Sequence, residues 1–197
     1  MKKIKSLFVR EFSAGHLPKI TSTVESGCEW VISGEGIATR KRDGTCTKIE
    51  NGVIFRRYDC KKGKTPPSGF IPADNPDPIT GHWPGWVQID KFNPTGDGKF
   101  FVEAYINTFG SLEAIPPDGT YELCGPKINS NPEKLDKHVF FKHGGEILHV
   151  SRDLDGIRKF FEENYIEGIV FHRNDGEMCK IKRVDFGLEW NGKTSKR

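Results

Sequence analysis

Short apolar runs separated by glycine, asparagine and aspartate dominate the 197-residue chain. Runs of this kind are typical of short β-strands. Between two of them, Asn51-Gly52 predicts a tight hairpin turn, because both residues tolerate a positive φ. The pattern predicts strands at 29–32, 37–40, 46–50, 53–59, 86–89, 100–107, 119–124, 138–142, 168–172 and 178–184.

One segment, residues 151–164, has the period of an amphipathic helix. Ser151 is the predicted N-cap, and Asp153 and Asp155 suit the positive end of the helix dipole. Its apolar stripe, which we expect to be core packing, consists of Leu154, Ile157, Phe160 and Phe161. Many strands with few helices predict an α+β fold of twisted, mostly antiparallel sheets with a few flanking helices.

The proline-rich segment 64–84 predicts a long irregular surface loop within an insertion at 64–98. The length of the chain is compatible with a single domain spanning 1–197. Residues 191–197 are polar, and we expect them to form a frayed tail.

Composition and charge exclude several classes of protein. A hydrophobic fraction of 35% argues against a disordered chain, and a formal charge of +3 argues against indiscriminate polyanion binding. Five cysteines without a C-x-x-C pair argue against a disulfide framework and a zinc site, and the histidine spacing suggests no metal site. Reduced thiols, no secretory signal and no membrane-spanning run together predict a cytoplasmic protein without membrane association.

The sequence Lys41-Arg42-Asp43-Gly44 places a lysine two residues before a predicted turn. A lysine amine with a lowered pKa can attack a nucleotide α-phosphate, which gives a lysyl phosphoramidate and releases pyrophosphate. Taken alone, the motif fits an exposed loop lysine better than a nucleophile.

Two later lysines change that picture. Lys180 and Lys182 are two residues apart on a predicted strand, so they project from the same face and repel each other unless an anion lies between them. They could also lower the pKa of Lys41 if they pack against it. Of Arg56 and Arg57 only one can face a shared site, and we favour Arg57 as the group that binds ribose or phosphate oxygens.

Two carboxylates and an aromatic strand complete the candidates. Glu122 and Glu167 are expected to accept hydrogen bonds from ribose hydroxyls or to hold a hydrated magnesium ion. In the run His138 to His143, Phe140 and Phe141 face opposite sides, so at most one can stack on adenine, and Phe140 is the slightly preferred candidate.

In this order, the clusters resemble the covalent nucleotidyltransferase superfamily of ATP-dependent ligases and mRNA capping enzymes, over roughly residues 30–190. Motif I is matched by Lys41-Arg42-Asp43-Gly44 and motif IV by Glu167-Gly168-Ile169-Val170. The other matches are Arg56-Arg57-Tyr58-Asp59 for motif Ia, Tyr121-Glu122-Leu123-Cys124-Gly125 for motif III, Val139-Phe140-Phe141 for motif IIIa and Lys180-Ile181-Lys182 for motif V. Residues 122–132 and 167–188 look most like the small 5′-to-3′ RNA ligase family.

The resemblance implies an ATP-grasp-like ligase adenylation domain, and the sequence after motif V is too short for the OB domain of DNA ligases and capping enzymes. It implies that Lys41 takes AMP from ATP and that Lys180 and Lys182 act on the transferred phosphate. Magnesium or manganese would assist, with Glu167 and Glu122 as the candidate ligands. The implied nucleotide-binding residues are Arg40, Arg57, Glu122, Phe140 and Glu167.

The implied substrate is RNA with 5′-phosphate and 3′-hydroxyl ends, and no obligate protein partner is expected. Two alternatives stay open at the level of sequence. The first is a minimal DNA ligase or another lysyl-AMP adenylyltransferase. The second is a non-catalytic module of the same fold that binds RNA or nucleotides.

Overall fold

The computed structural model describes residues 4–11 and 19–191. The chain divides into two compact units, a central unit built from Asp43–His143 and a flanking unit built from Lys3–Arg42 and Gly144–Arg197. Helices and mostly antiparallel sheets occur in both units, so the predicted α+β class is confirmed. The nucleotidyltransferase fold within that class, and the treatment of the chain as one domain, stay predictions.

The elements are numbered in chain order. The strands are β1 (Lys5–Ser6), β2 (Phe8–Glu11), β3 (Lys19–Val24), β4 (Ile37–Lys41), β5 (Thr45–Glu50), β6 (Val53–Cys60), β7 (Ile71–Pro72), β8 (Trp83–Ile89), β9 (Gly119–Cys124), β10 (Val139–Lys142), β11 (Ile147–Leu148), β12 (Gly168–His172) and β13 (Met178–Lys182). The helices are α1 (Glu29–Ile32), α2 (Gly98–Phe109) and α3 (Leu154–Glu163), and a 3₁₀ turn covers Arg183–Phe186.

The flanking unit contains a five-stranded sheet in the order β1-β13-β12-β4-β11 and a two-stranded sheet of β2 and β3. The pairing of β1 with β13 is parallel, and the other pairings in this unit are antiparallel. Ile157 and Phe161 of α3 belong to the same buried cluster as Ile169 and Phe171 of β12. The apolar stripe of this helix is therefore core packing, as predicted.

The central unit contains a six-stranded antiparallel sheet in the order β10-β9-β5-β6-β8-β7. Asn51 and Gly52 form the predicted turn between β5 and β6, with φ values of 50° and 73°. Phe101 and Tyr105 of α2 pack in one buried cluster with Ile49 of β5, so α2 covers one face of the sheet. We call the opposite face of this sheet the far face.

Two of the predicted strands are wrong. Residues 29–32 form α1, and residues 100–107 lie inside α2. The aromatic and branched residues of the second segment suit a strand, but Phe101, Ala104 and Tyr105 are spaced at the i, i+3, i+4 interval of a helix and are buried. Burial of these three residues against the sheet therefore favours a helix over the strand that the composition suggests.

Several element ends also differ from the prediction, among them those of α3 and β13. Helix α3 begins at Leu154, and its cap is Asp153 rather than Ser151, because the Asp153 side chain accepts a hydrogen bond from the Gly156 N–H at 2.8 Å. The last predicted strand, 178–184, ends at Lys182, where the 3₁₀ turn begins.

The prediction that all the cysteines are reduced is wrong, because Cys28 and Cys179 form a disulfide across 151 residues of sequence. The pairing of β1 with β13 places Cys179 opposite Lys5, and the Cys28 sulfur lies 3.6 Å from the carbonyl oxygen of Ser6, the next residue of β1. A pairing at this separation leaves no local pattern in the sequence. Cys46, Cys60 and Cys124 are thiols.

The proline-rich segment 64–84 is mostly irregular, as predicted, apart from the two-residue β7 and the first residues of β8. Asn191 donates its N–H to the Tyr165 hydroxyl, and the rest of the predicted tail, 192–197, lies outside the described residues. In the part of the chain that the structure describes, no helix has both the length and the apolar character that crossing a bilayer requires.

Candidate functional site

Three neighbouring strands of the flanking unit bring lysines to one face of the sheet. Gly168 of β12 lies opposite Lys41 of β4 on one side and opposite Lys182 of β13 on the other. Directly opposed residues share a face, so Lys41 and Lys182 project together, and Lys180 joins them two residues earlier on β13. A Cβ on Gly168 would lie 2.5 Å from the Ile181 carbonyl oxygen, so the position between the two lysines accepts only glycine without a backbone shift.

A buried carboxylate lies between two of these lysines. Glu167 precedes β12, and its side chain is only 7% exposed. Its Oε2 atom accepts from Lys41 Nζ at 2.5 Å, and its Oε1 atom accepts from Lys182 Nζ at 2.6 Å. Two of the three predicted site lysines therefore bind the predicted metal ligand, and the third projects from the same face. We call this group the lysine cluster: Lys41, Glu167, Lys180 and Lys182.

Lys180 carries the strongest electrostatic perturbation of this group. The pKa of Lys180 is lowered from 10.5 to about 8, chiefly by burial and then by the nearby charges of Lys182, Lys41 and Arg10, whereas Glu167 opposes the shift. A half-buried ammonium with three cations near it is a feature that costs stability. A polyanion bound at this face would remove that cost.

Substituting Lys180 by methionine is therefore expected to stabilise the protein by about 1–2 kcal/mol at neutral pH, after allowance for solvent screening. Because the folded-state pKa lies below the unfolded one, the penalty is complete below about pH 8 and disappears as the pH rises towards 10.5. Urea unfolding of both proteins at about pH 7 and about pH 9.5 should show the difference shrinking. Lys182→Met, which removes a partner of Glu167, should instead destabilise the protein. Equal stability of Lys180→Met and the wild type at neutral pH would show that the charge of Lys180 does not destabilise the fold.

Asp185 positions the cluster and was not found from the sequence. Its Oδ2 atom accepts from the backbone N–H of Lys182 and from Arg10 Nη2, both at 2.8 Å, and the residue is 3% exposed. These contacts fix the end of β13 and hold a further cation close to Lys180. A lysine three residues ahead of an aspartate does not match the usual Ser/Thr capping signature, so no sequence rule identifies this contact.

Arg40, a predicted nucleotide ligand, lies on the other face of the sheet. It pairs with Ile169, whose side chain belongs to the buried core, whereas Lys41 alternates to the opposite side. Its Nη1 atom lies 3.4 Å from Glu146, which also binds Arg42 at 2.6 Å. The strand does not bring Arg40 to the lysine cluster.

The far face of the central sheet collects a second set of candidates. Glu122 of β9 lies opposite Cys46 of β5 and opposite Phe141 of β10. Their neighbours Tyr121 and Leu123 alternate to the face that α2 covers and are buried in its cluster. Glu122, Cys46 and Phe141 therefore share the far face.

Strand alternation also separates the two arginines. Phe55 of β6 pairs with Lys48, which is on the far face, so Arg57 is on that face as well. Arg56 points to the α2 side, where its Nη1 atom binds Asp97 at 2.7 Å. The prediction that the two arginines face opposite sides is confirmed, and the nucleotide-binding role of Arg57 stays a prediction.

Glu122 is held by two contacts. The Gly44 N–H donates to its Oε1 atom at 3.1 Å, and His143 Nε2 lies 2.7 Å from its Oε2 atom. A Cβ on Gly44 would lie 2.2 Å from the Leu123 carbonyl oxygen, which explains the glycine of the Asp-Gly turn. Asn129 closes the turn by donating to both Asp43 Oδ1 and Gly44 O at 2.9 Å.

Phe140, the preferred stacking candidate, is 4% exposed and packs in the core beside Phe109 and Tyr121. Phe141, the other phenylalanine of this strand, lies on the far face. The two rings face opposite sides of the sheet, as predicted, and the stacking role expected for Phe140 stays a prediction.

The chain is similar to proteins named RNA ligase 1. The family described as RNA ligase 1 matches residues 111–196, a span that contains Glu122, Glu167, Lys180 and Lys182 and begins after Lys41. RNA ligase 1 from Danio rerio is 31% identical over 139 residues, which cover 56% of this chain and 42% of the zebrafish protein.

Two mammalian proteins show a similar relationship. RNA ligase 1 from Rattus norvegicus is 26% identical in an alignment covering 96% of this chain and 82% of the rat protein. RNA ligase 1 from Pongo abelii is 30% identical over 64% of this chain and 50% of that protein. The similarity of this chain to these proteins supports an RNA ligase family.

Proposed function

We propose that this chain is an ATP-dependent RNA ligase that works through a covalent lysyl-AMP on Lys41. The observation that carries the proposal is the lysine cluster, in which Lys41 and Lys182 share the buried carboxylate of Glu167 beside Lys180. Three convergent cations around one carboxylate form an arrangement that suits a polyphosphate. The similarity to RNA ligase 1 proteins supports the same reaction class.

In the proposed first step, the neutral amine of Lys41 attacks the α-phosphorus of ATP. The N–P bond forms, the bond from the α-phosphorus to the bridging oxygen breaks, pyrophosphate leaves, and the amine proton passes to solvent. Lys180 and Lys182 stabilise the negative charge that develops on the phosphate oxygens. Since Glu167 binds Lys41 as an ammonium, attack requires that contact to open.

In the remaining steps, AMP moves from Lys41 to the RNA 5′-phosphate, and the RNA 3′-hydroxyl then attacks that phosphate and releases AMP. Each step exchanges one phosphoryl bond for another, so no oxidant or reductant is needed. The same cations can serve all three steps, because each develops charge on a phosphate next to Lys41.

A divalent cation such as Mg²⁺ or Mn²⁺ would use the buried carboxylate of Glu167 as an oxygen ligand. Because Lys41 and Lys182 occupy both of its oxygens, the cation requires these lysines to move onto the bound polyphosphate. When bound, it would neutralise phosphate charge. The chain's own contribution is to place a carboxylate within reach of the nucleophilic lysine.

In the central unit, the far face offers groups that suit a nucleoside. Arg57 has a planar, permanently charged fork, Glu122 can accept from ribose hydroxyls, and Phe141 can stack on a base. We therefore assign stacking to Phe141 in place of Phe140. Arg40 is not included, because it lies on the other face of its sheet from Lys41.

RNA is the proposed acceptor because the relatives are named RNA ligases. A cytoplasmic location is also proposed from the sequence, although the argument from reduced thiols does not hold for Cys28 and Cys179. A DNA ligase, another lysyl-AMP adenylyltransferase and a non-catalytic binding module remain the rival functions, and each gives a different result in the experiment below.

The test is intact-protein mass spectrometry after incubation with ATP and magnesium, preceded by pyrophosphate treatment to remove any AMP already attached. We expect a mass gain of one AMP that pyrophosphate reverses, followed by transfer to 5′-phosphorylated RNA. Transfer to nicked DNA but not to RNA would favour a DNA ligase, and a GMP adduct from GTP would favour capping chemistry. ATP binding without an adduct would contradict the proposal and favour the binding module.

A further inference from the structure

Cys46, Glu122 and His143 form a cluster of metal-ligating side chains that the proposed reaction does not use as a group. Their donor atoms, one sulfur, one carboxylate oxygen and one imidazole nitrogen, lie within 4.8 Å of one another. No other such group of three occurs among residues 4–11 and 19–191. The three residues are far apart in the sequence, and the histidine and cysteine spacings therefore gave no sign of the site.

Strand register builds the cluster. Cys46 lies directly opposite Glu122 in the pairing of β5 with β9, so both side chains are on the far face. His143 follows β10 and is anchored by its backbone N–H, which donates to the Thr120 carbonyl oxygen at 3.1 Å. All of these residues belong to the central unit.

The ligands are also oriented by neighbouring groups. His143 Nδ1 lies 2.9 Å from Thr120 Oγ1, and this contact directs Nε2 towards Glu122 Oε2. The other oxygen of Glu122 is held by the Gly44 N–H at 3.1 Å. Metal-binding histidines and carboxylates commonly have supporting hydrogen bonds of this kind, which fix the ring orientation.

The donor set selects the class of metal. Thiolate and imidazole are ligands of Zn²⁺ and similar transition metals, whereas Mg²⁺ prefers oxygen alone. Zinc ligands at about 2.0–2.3 Å from the ion are roughly 3–4 Å apart, so small side-chain rotations would close the cluster around an ion. A thiolate and a carboxylate would also neutralise the two positive charges of the ion in a half-buried place.

We propose that Cys46, Glu122 and His143 bind one Zn²⁺ ion, with a fourth position left for water or an added ligand. The ion would take the place of the proton that the 2.7 Å contact between Glu122 and His143 requires. A zinc ligand at Glu122 is an alternative to the ribose contact proposed for the same carboxylate. The magnesium role expected for Glu122 stays a prediction.

The test measures binding directly, so it does not depend on whether the protein ligates RNA. The metal-free full chain is titrated with ZnCl₂ by calorimetry, and with CoCl₂ by absorption, because a cobalt–thiolate bond gives a charge-transfer band. We expect one equivalent of either metal, and displacement of cobalt by zinc should remove the band. Cys46→Ser and His143→Gln should each weaken zinc binding at least about tenfold, and Thr120→Val about 10–100-fold.

Matched controls come from the same unit. Cys60→Ser alters another thiol, and His82→Gln alters another histidine near a carboxylate, Asp59 at 3.6 Å. Both controls should bind zinc as the wild type does, and circular dichroism should verify the fold of every variant. The proposal is overturned if no zinc binds, if Cys46→Ser and His143→Gln bind like the wild type, or if the controls weaken binding equally.

Discussion

Lys41→Arg is expected to abolish the attachment of AMP, with a loss of at least about 1,000-fold in single-turnover rate. Arginine keeps the positive charge and can still bind Glu167, but its guanidinium stays protonated and is not a nucleophile. The substitution therefore separates the charge of Lys41 from its proposed chemistry. The measurement is the AMP adduct by intact mass after ATP and magnesium are added.

The fold should survive this change, since Glu167 keeps Lys182 as a partner at 2.6 Å. Lys159→Arg is the matched control, because Lys159 also faces a glutamate, Glu163 at 3.9 Å, but lies on the exposed surface of α3. We expect its adduct yield to equal that of the wild type. A normal adduct in Lys41→Arg would mean that another residue is the nucleophile, and peptide mapping would then identify it.

Local sequence patterns were sufficient to predict many of the strands and the shared orientation of two lysines of the lysine cluster. Strands β9 and β12 lie where the apolar runs predicted them, and the Asn51-Gly52 turn joins β5 to β6. Side-chain alternation correctly put Lys180 and Lys182 on one face of β13. These features depend on neighbouring residues, which a single sequence shows directly.

Features that depend on which strands become neighbours could not be predicted. The choice between Phe140 and Phe141 required knowing which face α2 covers, and the Cys28–Cys179 disulfide required the pairing of β1 with β13. The same reason applies to the cluster of Cys46 with His143, because β9 brings them together from distant positions. Helix α2 was missed because burial of its i, i+3, i+4 positions outweighed a strand-like composition.

Glu167→Gln is the second change with a large expected effect, and the direction of that effect distinguishes two roles of the carboxylate. As an ion-pair partner alone, Glu167 holds the Lys41 side chain away from a bound nucleotide, so its removal would free the lysine and speed the attack. As a ligand for a divalent cation, it is needed for charge neutralisation, so its removal would slow the attack. We expect the second outcome, a fall on the order of 100-fold or more in AMP attachment at high magnesium concentration.

The same substitution should lower the free energy of unfolding by about 3 kcal/mol, because a buried carboxylate with two lysine partners is replaced by a neutral amide. Glu163→Gln, on the exposed face of α3, should change neither the free energy of unfolding nor the rate of AMP attachment. The decisive comparison is the attachment rate of folded Glu167→Gln with that of the wild type across a series of pH values. A rate equal to or above that of the wild type would show that Glu167 only holds Lys41 in its resting state, and the search for the cation ligand would then move to other carboxylates.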